Sequence, residues 1–244
     1  VHDGAIGDVV AVQETYNCAP PWFRNKDRQP TWTEMEYQMR NWYVFTWLSG
    51  DHNVEQHVHS LDKAAWALNQ ALPEKIWGTG GRQVRSEITI GHIFDHHCVT
   101  YEFAGGRRLY SHCRRMAGCA NETSDIILGT KGTCDLMKNR IEGEKPWRYD
   151  GPKNNHYVAE HEALFRAIRS GTPLNHGDYM AHSTMLAIAG RMATYTGKAL
   201  TWQQAANSKE DLTPEQYAWD ANPPILPNDD GSYPLAVPGV TKFV

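Results

Sequence analysis

Ser49-Gly50-Asp51-His52-Asn53-Val54-Glu55-Gln56-His57-Val58-His59-Ser60-Leu61-Asp62 is the stretch on which the reading of this chain turns. Apolar residues at Val54, Val58, Leu61, Ala65, Leu68 and Leu72 recur at the spacing of one helix face. Gly50 permits the turn into that helix, Asp51 offers an acceptor to its first free N–H groups, and Pro73 ends it. One position away runs a polar stripe of Glu55, His59 and Asp62, with His52 a turn earlier. A carboxylate four residues before a histidine shares its helix face. There it can orient the imidazole for proton transfer. Glu–His pairs at this spacing are also common on solvated faces, so spacing alone leaves both readings open. His57 is out of phase with the stripe, and His57 with His59 makes no zinc pair because i,i+2 side chains diverge on a helix. No metal site is expected.

Outward from this helix, residues 8–16 alternate as a strand, and 34–48 carry Met35, Met39, Trp42, Tyr43 and Trp47 in helical spacing. Arg40 and Trp47 suit a sugar-like ligand, since aromatic faces stack on sugar rings; packing in an aromatic core is an equal reading. Residues 18–33, with Trp22, Arg24, Lys26 and Trp32, show no period and read as a long loop. Gly78-Thr79-Gly80-Gly81-Arg82-Gln83 departs from the phosphate-binding pattern and precedes an alternation of Val84, Ser86, Ile88 and Ile90. It reads as a turn before a strand.

Residues 96–104 and 107–115 form a hairpin about Gly105-Gly106, and 126–128 pair with 133–137 about residues 129–132. Tight turns between neighbours imply an antiparallel sheet. At its start, alternation sends Asp95 and His97 to the face opposite His96. Residues 157–169 form a helix whose apolar stripe includes His161, which reads as a core histidine, with Tyr157 at its start. Residues 178–195, rich in Ala and Gly, form a closely packed helix ended by Gly197. From about 205 a Pro- and Asp-rich tail wraps the surface or a partner.

The 244 residues suffice for one large domain. A net charge of −4 and pI near 6.3 leave no footprint for nucleic acid. No apolar run reaches the ~18–20 residues of a membrane span, and nothing reads as a signal peptide. Five cysteines without a CxxC point to buried reduced thiols.

Gly50 followed by Glu55-x-x-x-His59-x-x-Asp62 resembles a segment of the glucose–fructose oxidoreductase / inositol dehydrogenase (Gfo/Idh/MocA) family. That family carries Gly-Gly, an acidic residue, three residues, His, two residues and Asp. Here Glu55 stands where many members have Asp, and Asp51 replaces a glycine. Gly4-Ala5-Ile6-Gly7-Asp8-Val9-Val10 resembles the opening of the family's second domain. Tyr157-Val158-Ala159-Glu160-His161 and Ile168-Arg169-Ser170-Gly171-Thr172-Pro173 resemble its late helix and following turn. The order of these motifs carries the likeness over most of residues 4–200. Glu144-Lys145-Pro146 matches a catalytic tripeptide of the family's nucleotide-binding domain but lies at the wrong place in the chain, and its role is not carried over.

The resemblance implies an α+β fold: a mostly antiparallel open sheet with helices on one face and the other free for a homodimer or homotetramer. Residues 1–244 are expected to be one substrate-binding and oligomerisation domain. The chain has no GxGxxG after a strand, so the family's Rossmann domain and its NAD or NADP site are expected to lie outside it. The implied activity is oxidation or reduction of a sugar or polyol, with His59 and Glu55 catalytic. His52, Arg40, Trp47, His96, Arg114 and Tyr157 are the candidates for substrate contact. A stand-alone carbohydrate-binding or oligomerisation domain, and a non-redox sugar lyase or hydrolase, remain open. So does the compartment, cytoplasmic or periplasmic.

Overall fold

The computed structural model describes residues 1–20, 28–84 and 90–244. Among these, eight strands make one open sheet: β1 (Val9–Cys18), β2 (Lys75–Gly81), β3 (His96–Glu102), β4 (Arg108–Arg115), β5 (Glu122–Gly129), β6 (Gly132–Asp135), β7 (Arg140–Gly143) and β8 (Trp147–Arg148). The spatial order is β2-β3-β4-β1-β5-β6-β7-β8. Every neighbour pair is antiparallel except β1 with β4, so the sheet is mostly antiparallel as expected. Gly105 and Gly106, both at φ +76°, make the β3–β4 turn.

The helices are α1 (Glu34–Arg40), α2 (Thr46–Ser49), α3 (His52–Glu55), α4 (Val58–Ala67), α5 (His156–Ser170), α6 (Gly177–Thr196) and α7 (Trp202–Ala206). Helix α4 covers β1 and β5, and α6 covers β2 and β3, on the same face of the sheet. Leu61, Ala64 and Ala65 of α4 and Leu186, Ala189 and Ala193 of α6 share one core with Val12, Val99, Tyr101, Leu109 and Ile127. Full burial of a side chain such as Leu61 contributes about 1.5–3 kcal/mol. Close approach depends on Gly190, where a Cβ would lie 2.2 Å from Tyr101 Oη.

The sheet's covered face is graded. Tyr101, Leu109, Val12, Ile127, Cys134 and Ile141 make an apolar row across it. The next row, Val99, Ser111, Glu14 and Asp125, is polar but for Val99, and beyond it stand His97, Cys113 and Tyr16. Apolar burial holds one end together and leaves the other for polar chemistry.

A second cluster of Tyr37, Val44, Phe45, Ile90, Ile93 and Tyr233 lies under α1. The tail closes it: Tyr233 Oη donates to Glu34 Oε1 at 2.5 Å, and Gln38 Nε2 to the Ile225 carbonyl at 2.6 Å. The tail therefore folds back over its own domain.

Several expectations need correction. The helix read from residue 51 to 72 is two helices: it breaks at Gln56-His57, and the second stops at Ala67 before Asn69 and Gln70, both at positive φ. Leu72 is consequently exposed. The 34–48 helix is likewise broken, by Asn41 and a 3-10 turn. The Gly78–Gln83 turn is largely strand β2; its glycines let α6 lie close, since a Cβ on Gly78 would meet the Cys98 carbonyl at 2.4 Å and Thr194 at 3.2 Å. Helix α5 buries none of its residues against the described chain, so His161 is exposed. Cys119 is exposed too, and no disulfide forms among the described residues. Trp22, Arg24, Lys26, Ser86 and Ile88 lie outside the described residues.

Candidate substrate site at the polar end of the sheet

Gly50, at φ +72°, ends α2 in the left-handed conformation, and a Cβ there would stand 2.7 Å from the Val54 side chain. Asp51 then takes φ 76° and ψ 161°, a region nearly reserved to glycine. Its buried carboxylate receives the backbone N–H of His52 at 2.5 Å and of Phe94 at 3.0 Å, and the Tyr195 hydroxyl at 2.5 Å. His52 Nδ1 is 2.8 Å from Oδ1 and His97 Nε2 is 3.2 Å from Oδ2. Burial works to raise the Asp51 pKa, but the facing His97 and His52 rings outweigh it and hold the carboxyl well below the usual range. Burial also favours the neutral form of His52.

Helix α4 is fixed from beneath by polar contacts. His57 Nε2 meets Ser111 Oγ at 2.8 Å, Lys63 pairs with Asp125, and Ser183 donates to Asp62 Oδ1 at 2.6 Å. Burial drives the His57 pKa down to about 3. Glu14 lies opposite Asp125 across β1 and β5. Its burial, with the Asp125 carboxylate beside it, pushes its pKa up to about 11, against the pull of Lys63. Burial opposes the charge of Asp125, yet Glu14, Lys63 and Ser60 hold its carboxyl below the usual range. The pair therefore holds one proton, on Glu14.

His59 is exposed on the first turn of α4, and Glu55 ends α3. The break between the helices separates them, and they share no hydrogen bond; one Glu55 carboxyl oxygen is shielded without a partner among the described residues. Beside them Arg115 donates to Gln56 Oε1 at 3.2 Å, to the Ala19 carbonyl at 3.2 Å and to Cys18 Sγ at 2.8 Å. Its guanidinium lies 5.3 Å from the Tyr16 ring centre and 5.8 Å from that of Tyr43.

The other candidates fall elsewhere. His52 is buried in the Asp51 cluster. Arg40 pairs with Glu36 at 2.8 Å and stacks over Trp32, and Trp47 donates to Gln38 at 2.7 Å in the second core. His96, bonded to Asp95 at 2.7 Å, and Arg114, donating to the Ala120 carbonyl, are on the uncovered face of the sheet. Tyr157 is 65% exposed on α5. Asp51, His57, His97, Ser111 and Arg115 were not singled out as site residues by sequence; alternation placed Asp95 and His97 on the face opposite His96, and of the three only His96 was a candidate.

No protein-family model matches the chain, and no curated protein sequence does. Solved structures do. An aldose-aldose oxidoreductase from Caulobacter crescentus, complexed with glycerol, superposes with TM-score 0.61 at 19% identity, over 82% of this chain and 57% of its own. A UDP-N-acetylglucosamine 3-dehydrogenase from Acidithiobacillus ferrooxidans gives 0.55 at 16% identity, over 79% and 56%. GenD2 from gentamicin A biosynthesis, in complex with NAD, gives 0.55 at 17%, over 81% and 56%. The chain thus spans little more than half the length of these proteins. Over that span the chain shares the fold of these oxidoreductases and dehydrogenases.

Proposed function

We propose that this chain is the substrate-binding and assembly domain of an NAD(P)-dependent sugar or polyol oxidoreductase, with His59 as the proton-transfer group. The observation that carries the reading is the shared fold with enzymes described as acting on aldoses and on a nucleotide sugar. Helix α4 supports it locally, because buried contacts from His57, Asp62 and Lys63 fix its orientation and leave His59 exposed. When a substrate hydroxyl lies against it, the imidazole takes the hydroxyl proton. Arg115 and Gln56 hold neighbouring hydroxyls.

Among the described residues there is no strand, glycine-rich turn and helix of the kind that cradles a dinucleotide pyrophosphate. The nicotinamide, which would exchange hydride with the substrate carbon, is therefore assigned to a separate domain. The uncovered sheet face, with Trp77, Thr100, Tyr110 and His112, is proposed as the surface joining copies into a dimer or tetramer.

The test is His59→Ala in the enzyme that joins this domain to its nucleotide-binding partner. Loss of a general base costs about 10²–10⁴-fold in rate, with cofactor affinity unchanged. Turnover near that of the unmodified enzyme refutes the assignment.

A further inference from the structure

The Asp51, His52 and His97 cluster lies deeper than the proposed substrate site, with all three residues at most 2% exposed. Its hydrogens can be placed from the surrounding bonds. The Thr194 hydroxyl donates its one hydrogen to the Arg191 carbonyl at 2.9 Å. Thr194 Oγ1 can then only accept from His97 Nδ1, 2.8 Å away. A neutral His97 so fixed turns the bare lone pair of Nε2 toward Asp51 Oδ2 at 3.2 Å. His52 Nδ1 is 2.8 Å from Oδ1 but is not aligned for a hydrogen bond, and neither of its ring nitrogens has a partner among the described residues. With the His52 hydrogen on Nε2, electron pairs on two imidazoles face the same carboxylate, which already accepts from the His52 and Phe94 N–H groups and the Tyr195 hydroxyl. Such an arrangement costs free energy unless a cation joins them.

We propose that Asp51, His52 and His97 form a buried site for a divalent transition-metal ion of the zinc class. Two imidazoles and a carboxylate are donors that zinc takes at about 2.0–2.2 Å, which in a tetrahedron places ligand atoms about 3.3–3.6 Å apart. His97 Nε2, 3.2 Å from Oδ2, is near that spacing and His52 Nδ1, 2.8 Å from Oδ1, is inside it, and one ligand atom from each of the three residues lies within 4.8 Å of the others. Binding draws the two rings closer. The hydrogen bond from His97 Nδ1 to Thr194 is the outer contact that a metal-bound imidazole uses to fix its tautomer. The strained backbone of Asp51 follows from the same site, since it aims the carboxylate between the two rings. Burial makes the role structural: the ion ties the α2–α3 junction to β3, and α6 supplies the outer contact.

The experiment strips the chain with a chelator and titrates it with Zn²⁺ alone and Co²⁺ alone. The expected result is stoichiometric binding, visible absorption bands with Co²⁺, and a rise in melting temperature with Zn²⁺. His97→Gln should abolish binding. Thr194→Val, nearly the same shape, keeps every ligand but loses the outer contact, and should weaken affinity about 10–100-fold. Unaltered melting with no stoichiometric ion overturns the proposal, as does full binding by His97→Gln. Imidazole nitrogen NMR of the unmodified chain decides the case if the variants fail to fold. With Zn²⁺ present, a His97 ring protonated on both nitrogens means that the cation is a proton, and the metal site falls.

Discussion

Replacing Glu14 by Gln should make the protein less sensitive to alkali. Glu14 is fully buried beside Asp125, and its pKa rises from 4.5 to about 11. In the unfolded chain the carboxyl ionises near 4.5, so between that pH and about 11 folding takes up one proton. The stability it supports is fully present below 4.5 and is lost as pH rises toward the folded value. The slope is about 1.4 kcal/mol per pH unit, so pH 6 to pH 8 costs the unmodified protein about 2.7 kcal/mol through this group. Asp125, held below its usual range, titrates outside that window. Gln has the same shape and no titration. Urea unfolding of both proteins at pH 6, 7 and 8 should therefore show Glu14→Gln gaining about 1.4 kcal/mol per unit relative to the parent. Two parallel pH profiles would refute the shared-proton account of the pair.

On the acid side the sign reverses. Burial lowers the His92 pKa from 6.5 to about 4, so its contribution is present above 6.5 and is lost as pH falls toward 4. His92→Gln should flatten the acid limb of a thermal-melt profile by about 1.4 kcal/mol per unit, and an unchanged limb counts against a buried neutral ring. Gly190→Ala would stabilise an ordinary helix by about 1 kcal/mol. Here the new Cβ meets Tyr101 Oη at 2.2 Å and disturbs its bond to the Leu186 carbonyl, so a loss of about 1–3 kcal/mol is expected. A gain in urea midpoint would show that α6 does not press on β3 as described.

What could be read in the sequence was periodic and local. The alternation of β1, β3 and β4 and the glycine turn between the last two are properties of neighbouring residues, and they are where expected. So is the apolar stripe of α4 from Val58 to Leu68. The break at Gln56-His57 rotates the helix phase, which is why His57 turns inward to Ser111 although its spacing placed it off the stripe. Glu14 reads as one polar position of a strand. Only the register that sets it between Ser111 and Asp125, with Lys63 arriving from α4, makes it a buried acid. Arg40 and Trp47 have suitable chemistry, but Glu36 and Gln38 take up their polar groups within the same stretch. Helix α5 shows the converse: Leu164, Phe165 and Ile168 form an apolar stripe as read, yet the described chain covers none of them.

The position of β1 has a consequence for how the chain folds. The first strand in sequence is the fourth in space, held between β4 and β5. Strands β2 to β4 and β5 to β8 can each assemble from near neighbours, whereas β1 must find partners roughly a hundred residues away. Closing such loops is slow because their entropy is lost before the contacts form. Insertion of β1 is therefore the step that turns two small sheets into one. Until it happens, β4 and β5 each present a bare edge with inward-facing apolar side chains, a template for pairing with another chain. A truncated chain lacking residues 1–18 would keep both edges open, and its fate would be set by aggregation rate rather than by equilibrium stability.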